Sequence, residues 1–154
     1  MPIADYLSPQ RVCFLSADHK AGVLAELASV LASSGAVRDR DGLMRAILER
    51  EKIMSTAIGC GVAIPHAQSD AVRRLVMAVG VHRAGIADYE TPDREPVRIL
   101  VMIASGHRQQ RAYIRLLGEV ARLLKQEAVR QQLINATTPA QLYEIMVKSE
   151  PLGA

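Results

Sequence analysis

Between residues 50 and 66 the chain assembles Arg50, Ser55, Thr56, Gly59, Gly61 and His66. One fixed cation, two hydroxyls, two glycines and an imidazole make a set suited to a phosphoryl group. The planar fork of arginine grips two phosphate oxygens, hydroxyls donate to the third, and glycines let backbone N–H groups approach closely. A neutral imidazole nitrogen can then accept phosphorus directly. Each residue also has an ordinary role: Arg50 can snorkel at a helix end, while Ser55, Thr56 and the glycines can simply form turns. Other chemistry is sparse. His19, His66, His82 and His107 include no i,i+4 pair of the helical metal-site kind, and Cys13 and Cys60 form no C-x-x-C or Cys/His ligand spacing. Two reduced thiols, no metal and no cofactor are the expectation. The G-x-S-x-G and G-x-x-x-x-G-K-[ST] signatures are absent, which removes the common hydrolase elbow and the P-loop.

The elements that must position these residues follow from periodicity. Asp18 is expected to cap a helix running to Ser34, with Leu24, Leu27, Ala28 and Leu31 at helical spacing and Gly35 as the stop. A second helix is expected from Asp39 or Asp41, with Leu43, Ala46, Ile47 and Arg50 at offsets 0, 3, 4 and 7. "STAIGCG" (55–61) reads as a loop or strand edge and "VAI" as a short strand. Pro65 pushes Ile64 toward extended geometry, so His66 is expected where that strand ends.

"LVMAVGV" (75–81) and "VRILVMIA" (97–104) are nearly unbroken apolar runs, the pattern of strands covered by helices on both faces, joined by the turn-rich "DYETPDREP". From Arg108 to Lys125 a helix is expected, with Ile114, Leu117, Val120, Ala121 and Leu124 on one side and Arg108, Arg111, Arg115 and Arg122 on the other. A short helix over Glu127–Ile134 follows, and a last one is capped by Thr138 with Pro139 in its first turn.

With 154 residues and 49% hydrophobic content, the chain suits one domain, and its 3% aromatic content calls for an aliphatic core of helices packed on a sheet. Nineteen basic residues interspersed with sixteen acidic ones give a net charge of only +3, too mild for a polybasic nucleic-acid surface. No apolar run reaches the roughly 20 residues of a membrane span, and "MPIADYLSPQ" lacks a signal peptide's pattern. A cytoplasmic protein without membrane insertion is expected.

The stretch "LEREKIMSTAIGCGVAIPHAQ" (48–68) resembles the active-site segment of the fructose/mannitol-type (type 2) enzyme IIA domains of the bacterial phosphotransferase system, nearest the nitrogen-regulatory branch. The resemblance extends through "LLGEVARLL" and "LINATTPAQLYEIM" over nearly the whole chain, implying one IIA-type domain over residues 1–154. It implies a mixed β-sheet with helices on both faces, an α/β fold. It also implies that the histidine of the "IPH" motif, His66, takes a phosphoryl group on Nε2 from a histidine phosphocarrier protein. Arg50 then corresponds to the motif arginine, and Ser55 and Thr56 to the "ST" that follows.

Three positions depart from the family pattern. Tyr113 stands where a second, helper histidine opens the "HLxxLxxLA" helix, Cys60 where many relatives have an acidic or amide residue, and Arg98 where an aspartate follows "PV". Tyr113 can donate one hydrogen bond but cannot become a cation near neutral pH. It also heads an apolar stripe with Leu116, Leu117 and Val120, so a packing role is open alongside a phosphate-binding one. His107, six residues earlier, can stand in for the helper or be an exposed loop residue.

The leading expectation is a phosphoryl-transfer component, regulatory rather than metabolic, with a regulated protein or a IIB-type acceptor as its further partner. A free-standing domain with no transporter attached fits regulation better than sugar import. The rivals are a sugar-transport IIA component and a degenerate binding module that is never phosphorylated.

Overall fold

The structure is a computed structural model and describes residues 3–149. Among these residues six strands form one mixed sheet: β1 (Val12–Phe14), β2 (Ala57–Gly59), β3 (Val62–Ala63), β4 (His66–Gln68), β5 (Val76–Ile86) and β6 (Val97–Ser105). The order is β1-β5-β6-β3-β2, with β4 also paired to β6. β5 and β6 are the antiparallel centre, while β1 runs parallel to β5 and both β3 and β4 run parallel to β6.

Among the described residues five α-helices accompany the sheet: α1 (Lys20–Ala32), α2 (Arg40–Ile53), α3 (Gln110–Leu124), α4 (Glu127–Asn135) and α5 (Pro139–Lys148). They cover both faces of the sheet, as expected of strands that are apolar on both sides. Met77, Val79, Val81, Ile99, Val101 and Ile103 join a core with α3, α4 and α5. Their neighbours Val76, Ala78, Leu100, Met102 and Ala104 join the other core, with α1 and α2. The period of two along each strand divides these side chains between the two layers.

β3 and β4 are one strand with an interruption. Val62 and Ala63 pair with Ile99 and Leu100, and His66, Ala67 and Gln68 pair with Ile103, Ala104 and Ser105, all at one register offset. Pro65, which has no N–H to donate, falls in the gap, while its carbonyl still accepts from Ile103 N–H at 3.0 Å. His66 is therefore the first residue after the break, and not the end of the strand.

Two helix starts match expectation. Asp39 accepts from Gly42 N–H at 3.1 Å and Thr138 from Gln141 N–H at 3.2 Å. The α1 cap does not match: the N-cap is His19, without a side-chain bond, because Asp18 is engaged elsewhere. Its carboxylate accepts from His82 Nε2 at 2.8 Å, and His82 Nδ1 accepts from Gly85 N–H at 3.0 Å. The α3 face is also rotated. Tyr113, Leu116, Val120, Leu123 and Leu124 are buried, and Ile114 is 58% exposed. The stripe starting at Tyr113 is the packed one.

The Asp39 cap sets the start of the helix that delivers Arg50. Asp39→Ala is expected to lower stability by about 1 kcal/mol, read as a shift in the urea unfolding midpoint with an unchanged slope.

Candidate functional site

His66 is held by a chain of four hydrogen bonds that begins with the buried Glu51. Thr56 N–H and hydroxyl donate to the Glu51 carboxylate, Thr56 C=O accepts from Ile64 N–H at 3.0 Å, and Ile64 C=O lies 2.7 Å from His66 Nδ1. A carbonyl only accepts, so Nδ1 must carry the ring proton and Nε2 keeps its lone pair. Burial is the main influence pushing the imidazole pKa below its ordinary 6.5; the Arg50 charge lowers it further, while the Ile64 bond and Glu51 oppose. The ring is thus neutral at pH 7, with a nucleophilic Nε2.

Arg50 occupies the last turn of α2, where Nη1 donates to Met54 C=O at 2.8 Å. One of its five N–H groups is used there, and its positive field reaches both His66 and Tyr113. Tyr113 is packed and also faces His66. It is 7% exposed, within the core beneath α3, and its ring centroid lies 6.1 Å from that of His66 with planes inclined at 58°. Burial raises the phenol to about 12 against the opposing pull of Arg50, so it stays a neutral hydroxyl at physiological pH.

Ser55 and Thr56 were expected as hydroxyl donors to a phosphate, and the structure engages both elsewhere. Ser55 Oγ donates to Glu90 C=O at 2.6 Å, and the buried Thr56 hydroxyl donates to Glu51. The single proton of each hydroxyl is thus used inside the protein.

The buried network around Glu51 escaped the sequence reading. Lys20 Nζ sits 3.1 Å from Glu51 Oε1 and 4.4 Å from the centre of the Tyr89 ring, and the Tyr89 hydroxyl donates to Glu51 at 3.1 Å. The signal was available: Glu51 follows Leu43 and Ile47 at steps of four, so an acid sits on the buried stripe of α2.

The remaining departures fall at the margins. His107 is exposed, with Nε2 3.6 Å from Asp70 Oδ1, and it makes no ring contact with His66 of the kind Tyr113 makes. Gly59, Cys60 and Gly61 turn from β2 to β3 with φ of 94°, 58° and 77°. Cys60 is the non-glycine residue in that left-handed run, steadied by its N–H donating to Asp93 at 2.8 Å. Arg98 turns its guanidinium to Arg83 C=O at 3.1 Å. Among the described residues no three His, Cys, Asp or Glu side chains gather to hold a metal, and no helix is long and apolar enough to cross a membrane.

Removing the carboxylate would leave Lys20, Thr56 and Tyr89 facing an empty acceptor position. Glu51→Ala is expected to cost roughly 3 kcal/mol, with Glu51→Gln costing less, both measured by chemical denaturation.

Comparison with known proteins identifies the family. The profile of the family described as "Phosphoenolpyruvate-dependent sugar phosphotransferase system, EIIA 2" matches residues 6–149. The fructose-specific EIIABC component of Bacillus subtilis is 33% identical over 132 residues, which are 86% of this chain and 21% of that protein. The chain thus spans about a fifth of that relative. The fructose-specific EIIA component of Haloferax volcanii is 31% identical over 129 residues, covering 84% of this chain and 83% of that one. Among solved structures, the nitrogen regulatory protein IIA-Ntr of Neisseria meningitidis superposes with a TM-score of 0.84 at 22% identity, covering 94% and 98% of the two chains. A profile match over nearly the whole chain, a 31% identical relative covered along most of its length and the shared mixed sheet place this protein in the type-2 enzyme IIA family of the phosphotransferase system.

Proposed function

We propose that the chain, as one IIA-type domain over residues 1–154, accepts a phosphoryl group on His66 Nε2 from a histidine phosphocarrier protein, and that its phosphorylation state regulates a protein partner in the cytoplasm. The observation that carries this reading is the Nδ1–H bond from His66 to Ile64 C=O at 2.7 Å, which leaves Nε2 unprotonated beside Arg50 and Tyr113. The Nε2 lone pair attacks phosphorus, a new N–P bond forms, and the N–P bond on the carrier breaks with its electron pair returning to the carrier's imidazole. No proton has to leave Nε2. Catalysis is then positioning together with stabilisation of the moving charge. Arg50 supplies the cation and the Tyr113 hydroxyl a neutral donor, while Ser55 and Thr56 hold the backbone that aims the ring.

A second reading, a sugar-transport component that hands the group to a IIB-type acceptor, is favoured by the fructose-specific names of the two curated relatives. The two differ in onward transfer. A phenol in place of the helper imidazole cannot take positive charge, so this site should hold a phosphoryl group better than it passes one on. Nucleic acid and membrane insertion have no part in either reading.

Incubation with phosphoenolpyruvate and the general phosphotransferase proteins should add the mass of one phosphoryl group, acid-labile and absent in His66→Ala. Phosphate mapped to His107 or to a serine overturns the assignment. Because the folded pKa of His66 is depressed below 6.5, acceptance should be flat from neutral pH upward and fall only on acidification. The unfolded chain binds that proton more readily, so the stability this group contributes is present above about pH 6.5 and lost as pH falls toward the folded pKa.

Arg50→Ala should slow acceptance about a hundredfold while shifting the melting temperature by only a few degrees, because its one hydrogen bond is exposed. Tyr113→His should speed exchange with carrier and acceptor, and Tyr113→Phe should slow acceptance modestly. Stopped-flow transfer assays on the three variants separate these outcomes. Unchanged rates in Tyr113→His would confine Tyr113 to packing.

A further inference from the structure

Gln68 lies two residues beyond His66 in β4. The alternation of a strand puts both side chains on one face of the sheet, and Ala67 between them packs into the opposite core with α1 and α2. The face shared by His66 and Gln68 is the one that α3 covers. His66 meets Tyr113 there, and Gln68 pairs in register with Ser105, the residue from which the chain turns toward α3.

The carboxamide nitrogen of Gln68 is sealed from solvent, and it is the one buried side-chain N or O atom among the described residues that has no hydrogen-bond partner. An NH₂ group can only donate, and a buried donor without an acceptor costs stability that an apolar side chain of equal length would not. Its in-register neighbour does not relieve it: the Ser105 hydroxyl, which donates to Gly106 C=O at 2.8 Å, does not accept from the amide. β4 therefore carries an unpaired, buried amide one step along the same face from the His66 imidazole.

We propose that the Gln68 carboxamide is a positioning donor for the phosphoryl group on His66, whose oxygens supply the acceptor that the resting site lacks. The inference rests on reading His66 as the phosphorylated residue. Cα atoms two apart in a strand are separated by about 6.6 Å, a span that a glutamine side chain and a phosphorylated imidazole bridge together. With Tyr113 neutral and the Ser55 and Thr56 hydroxyls engaged, Gln68 joins Arg50 in meeting the oxygens. On this account the orphaned amide is kept at a cost to the unphosphorylated fold and is satisfied only in the phosphorylated one.

The full chain, ¹⁵N-labelled, is phosphorylated by potassium phosphoramidate, a donor that needs no partner protein: Nε2 attacks phosphorus and ammonia leaves. In the wild type the Gln68 side-chain amide signals should move on phosphorylation, an effect a purely structural glutamine would not show. Gln68→Met should raise the melting temperature of the unphosphorylated protein by about 2–4 °C and shorten the half-life of phospho-His66 about tenfold. Gln68→Glu, which places a second anion beside the phosphoryl group, should shorten it further. If His66 is phosphorylated normally while the Gln68 amide signals stay still, or Gln68→Met leaves the half-life unchanged or lowers the melting temperature, the role of Gln68 is overturned and that of His66 stands. If neither phosphoramidate nor the carrier phosphorylates His66, both are overturned.

Discussion

The hydrogen bond from His66 Nδ1 to Ile64 C=O decides which ring nitrogen is free to react, and much of the surrounding fold serves to keep that carbonyl in place. Ile64 is gripped from both ends, its N–H by Thr56 and its C=O by His66. Pro65 opens the gap between β3 and β4 while both pieces keep one register on β6. The imidazole is thus anchored to the central strands of the sheet, although it sits partly exposed where the inner strand β3 gives way to β4, which pairs on one side only. The reactive atom needs both conditions, rigidity behind it and access in front.

Electrostatically the site is prepared for an anion. A half-buried neutral imidazole resists protonation, a buried phenol resists ionisation, and Arg50 leaves donors free at the end of α2. Glu51, next in sequence, is turned the other way and neutralised by Lys20, with Thr56 and Tyr89 completing its shell. Adjacent residues on one helix turn therefore divide the work. On the proposed reading the arginine meets the charge that arrives, and the glutamate holds the loop that aims the histidine. On that reading a phosphoryl group would bring roughly −1.5 to −2 charges at neutral pH to the site.

Much of this was legible in the residues themselves. The apolar runs of β5 and β6, the caps at Asp39 and Thr138 and the motif around His66 each carry a local signature that tertiary contacts did not override. What failed to show is non-local. Asp18 reads as a helix cap until His82, far along the chain, takes its carboxylate. The Ser55 and Thr56 hydroxyls look free until Glu90 and Glu51 are seen to accept from them. The packed face of α3 differs from one plausible reading by a small rotation, and only contact with the sheet selects the stripe that brings Tyr113 to His66. Gln68 carries no signature at all, since an orphaned amide exists only in three dimensions.

The central claim is a statement about two nitrogens, and long-range ¹H–¹⁵N correlation spectra of the His66 ring test it most directly. At pH 7 the unphosphorylated protein should show the proton on Nδ1, and after phosphorylation the ³¹P coupling should appear at Nε2 with Nδ1–H retained. A proton on Nε2 in the resting state, or phosphorus bonded to Nδ1, would contradict the account.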